Sequence, residues 1–302
     1  MKNGFCGITL FFALSSFSQQ TTPAAEAAAF HAQKNYLSAV KKYDEALVQN
    51  PGSAKLYYRR GQAKYALKKD AEAVTDYDIA IEKGYVDYEI YYYRGLSKFF
   101  LKKYQEAASD FDQSLALRKY FSNAYLYRGA CNFYLAKDVD CIRDESWAIS
   151  MDKKNASAYY YCGMARYQMK DYHGAATDLT KAIDLKKTFE SLYFRGMAQY
   201  HLGEYSKSVA DFCEAIKIKP DDAQCYFERG MCYLMNGNDD LAIADFTRAL
   251  ELKPDYKKSH HFRAMAKMYK TDTLGACRDF NLAAQAGFSD SKKMIQKLRC
   301  SN

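Results

Sequence analysis

One short signature returns along the chain at nearly constant spacing. It stands as Arg60-Gly61, Arg94-Gly95, Arg128-Gly129, Arg195-Gly196 and Arg229-Gly230, with Cys162-Gly163 and Arg263-Ala264 in two further places, so the glycine slot recurs every 33 or 34 residues. A period of that size constrains the fold more tightly than composition can. Each period is one supersecondary unit, too small to bury its own apolar face, so neighbouring units must stack to make a continuous core. Large groups (Tyr57, Tyr91, Tyr125, Tyr159, Leu192, Tyr226, His260) stand one helical turn before the slot. Small residues such as Ala73 and Ala80, Ala107 and Ser114, or Ala242 and Ala249 follow twelve and nineteen positions after it. Sixteen after come Tyr77, Phe111, Glu145, Leu179, Phe212, Phe246 and Phe280. Steps of four and three mark one face of a helix. Small residues on that face let two helices approach, and the aromatic fills the space beside them.

Each period therefore reads as two helices, with breaks at Leu202-Gly203-Glu204 and Asn236-Gly237-Asn238 and again at Lys219-Pro220-Asp221 and Lys253-Pro254-Asp255. This order of aromatic, glycine, tyrosine, two alanines, phenylalanine and proline resembles the tetratricopeptide repeat, a 34-residue helix-turn-helix unit. Tyr36, Ala39, Tyr43, Ala46 and Pro51 supply a degenerate earlier copy. The resemblance implies an all-α solenoid of about eight units in a right-handed superhelix. The expected boundaries are a degenerate first unit over 19–53, seven units over 54–290 and a capping helix over 291–302. In the cap, Met294, Ile295 and Leu298 can cover the last unit while Lys292, Lys293, Lys297 and Arg299 face water.

The arginine before the slot has an aspartate sixteen residues later in every unit: Asp76, Asp110, Asp144, Asp178, Asp211, Asp245 and Asp279. The degenerate first unit holds Glu26 and Lys42 at these places, the same pair with its signs exchanged, which favours pairing inside a unit. Arginine suits such a position because its planar fork binds a carboxylate at two points while its stem lies on apolar surface. Cys162 breaks the pattern and leaves Asp178 without its expected arginine, and Glu145 stands where other units are apolar. The irregularity reads as repeat decay, or as a kink or partner site around Trp147.

Lys2, the apolar run Ile8 to Leu14, and small residues at Ser16 and Ser18 predict a signal peptide over 1–18 and hence a periplasmic or secreted protein of the exported bacterial type. That run is too short to span a bilayer, and no other segment is apolar enough. The 44 basic and 36 acidic residues give a charge of +8, spread through all units rather than gathered in a block. Such a distribution fits a solvated surface better than nucleic acid, with peripheral attachment to an anionic envelope left open. Of nine cysteines, Cys6 lies in the leader, and the rest contain no Cys-x-x-Cys pair. Matching helix heights make Cys277–Cys300, Cys213–Cys232 and Cys131–Cys141 candidate disulfides, against the alternative of small buried thiols.

Nucleotide, hydrolase and zinc-protease motifs are absent, and His260-His261 diverge by about 100° on a helix. No cofactor, metal or catalytic residue is expected. What remains is a face of the first helices. Three before the slot it presents Tyr160, Tyr193 and Phe227; one after, Met164, Met197, Met231 and Met265; four after, Tyr167 and Tyr200. By resemblance this face lines the concave surface. It lacks the lysines and asparagines with which co-chaperone members of the family grip a terminal carboxylate. An aromatic and thioether strip adapts to apolar side chains of a peptide or protein partner. Inter-unit packing is the competing role for the same residues. The expected function is an exported, non-enzymatic interaction scaffold. Self-association in envelope assembly and an enzyme with an unrecognised groove site are the alternatives, and oligomeric state is not legible.

Overall fold

The turn inside each unit must reverse the chain within three residues, which forces one residue into the left-handed region. Lys34, Lys68, Lys102, Ala136, Lys170 and Thr271 take it at φ values of 56–63°, and Gly203 and Gly237 at 75°. The glycine breaks read from the sequence lie at these reversals. In a computed structural model describing residues 22–300, the result is a run of helical hairpins, with no strand among the described residues. The expected signal peptide lies outside them.

The chain divides into two bodies after Val86. The first holds α1 (Pro23–Ala32), α2 (Tyr36–Gln49), α3 (Ala54–Ala66) and α4 (Asp70–Glu82). The second holds α5 (Tyr88–Phe100), α6 (Tyr104–Leu117), α7 (Ser122–Tyr134), α8 (Asp138–Met151), α9 (Ala156–Gln168), α10 (Tyr172–Leu185), α11 (Phe189–His201), α12 (Tyr205–Ile218), α13 (Ala223–Met235), α14 (Asp239–Leu252), α15 (Lys257–Tyr269), α16 (Thr273–Gln285) and α17 (Ser289–Leu298). Eight hairpins and a terminal helix thus match the solenoid pattern.

The glycine slot is required by close approach. A Cβ on Gly61 would stand 2.7 Å from the Tyr77 ring, and one on Gly230 would stand 2.9 Å from Phe246. The ring sixteen residues on is therefore pressed against the backbone of the first helix, and Tyr77, Phe111, Phe212, Phe246 and Phe280 are fully buried there.

Beside this contact lies the ion pair. Arg60, Arg94, Arg128, Arg195, Arg229 and Arg263 each bind the aspartate sixteen residues later through Nε and a terminal nitrogen, as in Arg229 to Asp245 at 2.8 and 2.7 Å. Lys42 and Glu26 form the reversed pair at 3.0 Å. The other terminal nitrogen often reaches back one unit: Arg60 to Asp44, Arg128 to Asp112, Arg195 to Thr180, Arg229 to Cys213 and Arg263 to Thr247. One guanidinium thus fastens the two helices of its own unit and tethers the unit before. In the fourth complete unit the structure corrects the expectation that Asp178 lacks an arginine. Arg166, one turn beyond Cys162, reaches it at 2.6 Å.

Glu145 is the exception to the apolar slot. It is fully buried against Gly129, and both carboxylate oxygens lack a hydrogen-bond partner. Burial, with Asp144 as a lesser cause, pushes its carboxyl well above the usual range. Trp147, two residues on and on the opposite side of α8, lies half-exposed with its ring stacked on Tyr125 at 6.0 Å.

Cys277 and Cys300 form a disulfide that fastens the segment after α17 to α16. The other two candidate pairings do not form. Cys131, Cys141, Cys213 and Cys232 are free, with Cys213 against Arg229 and Cys232 against Ser208 at 3.1 Å. Met294, Ile295 and Leu298 pack on Ala264, Ala276 and Phe280, while Lys292, Lys293, Lys297 and Arg299 are exposed.

Two outcomes follow for stability. Glu145→Leu puts an aliphatic group where Leu179 serves the next unit. It should stabilise by about 1–3 kcal/mol, the usual cost of a buried unsatisfied polar group. Because the folded carboxyl titrates above the unfolded one, its penalty is small below about pH 4 and grows as pH rises toward the folded value. The gain in melting temperature should therefore be larger at pH 8 than at pH 4. For the ion pair, burial pushes Asp245 up even with the guanidinium upon it. Arg229→Met and Asp245→Asn, alone and combined, should show a coupling of about 1–3 kcal/mol in a chemical-denaturation cycle, and additive effects would refute the pairing.

Candidate partner-binding groove

The short turns set the hairpins side by side, and within the second body each first helix touches the first helix of the next unit: α5 with α7, α7 with α9, α9 with α11, α11 with α13 and α13 with α15. Second helices meet one another less. The first helices thus form one continuous layer, and every residue predicted for the site stands on it. Tyr160, Met164 and Tyr167 lie on α9, Tyr193, Met197 and Tyr200 on α11, Phe227 and Met231 on α13, and Met265 on α15.

The layer shares these residues between core and surface. Met164 at 7% exposure and Phe227 at 5% are buried, and Phe227 packs among Phe246, Tyr256 and Phe262 at ring separations of 5.1–5.8 Å. The other seven are half-buried. Tyr193, Met197 and Tyr200 lean on the cluster of Leu192, Phe212, Ala215, Cys225 and Cys232, and Met231 on that of Phe246 and Ala249. Met265 touches the cluster beneath the cap. Each such side chain rests its stem on an inter-unit seam and leaves one edge toward solvent, as a long apolar group at a helix junction does.

Tyr160 opens onto a shallow pocket of about 210 Å³ lined also by Tyr161, Lys186, Thr188 and Glu190. Tyr167 Oη lies 3.2 Å from His201 Nε2. Burial pushes the phenols of Tyr160, Tyr167 and Tyr256 up to about 12, so these hydroxyls stay protonated donors at any physiological pH. Among the described residues no group of three His, Cys, Asp or Glu side chains could hold a metal ion.

Sequence reasoning passed over Glu228. It sits two residues before a glycine slot, where the other units of the second body hold Tyr93, Tyr127, Tyr161, Phe194 and Phe262. That single carboxylate in a row of aromatics was a legible signal. In the structure it is half-buried on α13, and Gln224, one turn before it, donates Nε2–H to Tyr193 Oη at 2.8 Å.

Models of the tetratricopeptide repeat match residues 24–84, 58–120, 163–223 and 223–256, more than half of the chain. No curated protein matches significantly. Among solved structures, the C-terminal part of a TPR repeat-containing protein from Cytophaga hutchinsonii is similar at a TM-score of 0.64 and 20% identity, over 76% of this chain and 95% of that one. YrrB, described as a TPR protein with an unusual peptide-binding site, is similar at a TM-score of 0.56 and 19% identity, over 60% of this chain and 93% of its own. MamA gives a TM-score of 0.52 and 24% identity, over 57% and 94%. At these identities the likeness is one of fold, and it agrees with the helical hairpins described above. With the repeat models spanning most of the hairpins, the chain belongs to the tetratricopeptide repeat family.

Proposed function

We propose that the protein is an exported, non-enzymatic scaffold that holds an extended peptide segment of a partner protein along the first-helix layer from α9 to α15. The observation that carries this reading is the strip of half-buried Tyr160, Tyr167, Tyr193, Met197, Tyr200, Met231 and Met265. Each keeps an apolar edge at the surface, at the spacing of successive units. Tyrosine offers a rigid apolar face with a polar tip, and methionine repacks around different shapes, so the strip favours modest affinity and tolerance of sequence. YrrB supplies a precedent in its fold, as a TPR protein with a peptide-binding site.

Export is supported by the leader-like residues 1–18 and by the Cys277–Cys300 disulfide, a bond that persists in oxidising compartments. No helix among the described residues is long and apolar enough to cross a membrane. The +8 charge leaves room for attachment at an anionic envelope surface.

Because Met197 and Met231 also support inter-unit seams, glutamate there would disturb folding and binding together. Met197→Gln with Met231→Gln preserves length while making the edges polar. Peptides selected by display on the wild-type protein should be rich in apolar and aromatic residues and should bind the double variant at least about tenfold more weakly, roughly 1.4 kcal/mol. Far-UV circular dichroism should be nearly unchanged. Undiminished binding, or a selection that enriches no peptide, would place the partner site elsewhere.

A further inference from the structure

Between α1 and α3 the first body has a cavity of about 550 Å³. That size lies within the range of about 300–1,000 Å³ usual for sites of small organic ligands. The cavity arises where the first unit departs from the repeat. Ala24, Ala28 and Ala32 follow one another at four-residue steps on one side of α1, and all three line it. At the same places in its own unit α5 has Tyr92, Leu96 and Phe100, so α1 presents small groups where a later first helix presents large ones. Leu56 of α3 adds a further apolar wall, and His31 and Tyr43 complete the lining. Tyr43 Oη lies 3.4 Å from His31 Nδ1, and the imidazole stands edge-on to Tyr36 and Tyr43 at ring separations of 5.4 and 6.1 Å.

The charges in this lining are of one sign. Lys55 and Arg59, one turn apart on α3, belong to it, and no acid does. Among the described residues neither makes an ion pair; Arg59 donates to Gln62 at 3.0 Å and lies 5.5 Å from the centre of the Tyr58 ring. Acids of the same body are taken by other cations, Glu26 and Glu45 by Lys42 and Asp44 by Arg60. Burial, and secondly Arg59, hold the His31 imidazole below its ordinary range, so the cavity's positive charge at physiological pH is that of Lys55 and Arg59. Two like charges one helical turn apart repel each other, and an anion between them relieves the repulsion. We propose that this cavity binds a carboxylate carried on an apolar body, with its head between Lys55 and Arg59 and its body on the alanines and Leu56. A small organic acid has that chemistry, and so has an acidic residue beside an apolar one in a peptide. The site lies wholly in the first body and does not depend on the groove reading above.

The full chain, labelled with carbon-13 histidine, tests the site, because His31 lies in the cavity wall and His31→Gln assigns its signal. Hydrocinnamate, a phenyl ring on a short chain ending in a carboxylate, is titrated beside hydrocinnamamide, which keeps the shape without the charge. The acid should shift the His31 resonances saturably, and the amide should bind at least about tenfold more weakly. Lys55→Gln with Arg59→Gln, both at exposed positions, should weaken the acid by a similar factor. Lys292→Gln with Lys293→Gln removes the same charge from the exposed side of α17 and should leave binding unchanged. Ala28→Leu, which fills the cavity and keeps its charge, should also weaken the acid. Equal affinity for acid and amide, an undiminished response in either cavity variant, an equal loss in the α17 variant, or no saturable shift would overturn the site. Displacement of hydrocinnamate by the acetylated dipeptide amide of phenylalanine and glutamate would assign the site to peptides, and failure to displace it would assign the site to small acids.

Discussion

The contact of a glycine with the ring sixteen residues later is the constraint from which the rest of the architecture follows. It sets the separation of the two helices in a unit, because the ring lies where a Cβ would otherwise stand. At that separation the neighbouring arginine reaches the neighbouring aspartate with two nitrogens and has a third left for the preceding unit. Packing and charge therefore form one joint. Its aspartate is almost wholly removed from water, so the guanidinium matters less for its own attraction than for preventing an unpaired buried carboxylate. The chain's recurring Arg-Gly element is thus explained by structure alone, and function has to be sought among residues the joint does not use.

Those residues lie on the layer formed by the first helices. Since each first helix touches the next, their spare faces merge into a surface that crosses unit boundaries, and a segment lying along it meets the same kind of side chain at each step. The half-buried tyrosines and methionines are compatible with that use because their stems are already ordered by the seams beneath. Little side-chain entropy remains to be lost on binding.

The helical hairpins, the turns at Gly203 and Gly237 and the Arg–Asp joint were all legible because they repeat, and repetition lets weak local signals reinforce one another. Repetition also hid things. The substitution of Arg166 for the missing arginine at Cys162 lies one helical turn away, in a column where Lys64, Lys98 and Lys267 serve other aspartates, and it becomes visible only once the side chains converge. Cysteine pairing was legible only where the cap folds back on α16. For Cys213 and Cys232, the side chains turn to Arg229 and Ser208 instead. The residues named for the groove all stand on first helices, but their depth was not legible. A column defined by spacing cannot tell Met164, which is buried, from Met197, which is half-exposed, because that difference depends on how each pair of units packs.

If the joint is scaffold and the first-helix layer holds the partner, a photoreactive residue should report it by position. p-Benzoylphenylalanine in place of Tyr200 on α11 or, in a separate protein, of Trp147 on the second helix α8 gives two probes of similar size, one within the groove and one half-exposed outside it. Irradiation in the native cell should yield a discrete crosslinked protein from position 200 and none from position 147. A crosslink from position 147 alone, or equal yields from both, would contradict the assignment of the binding surface.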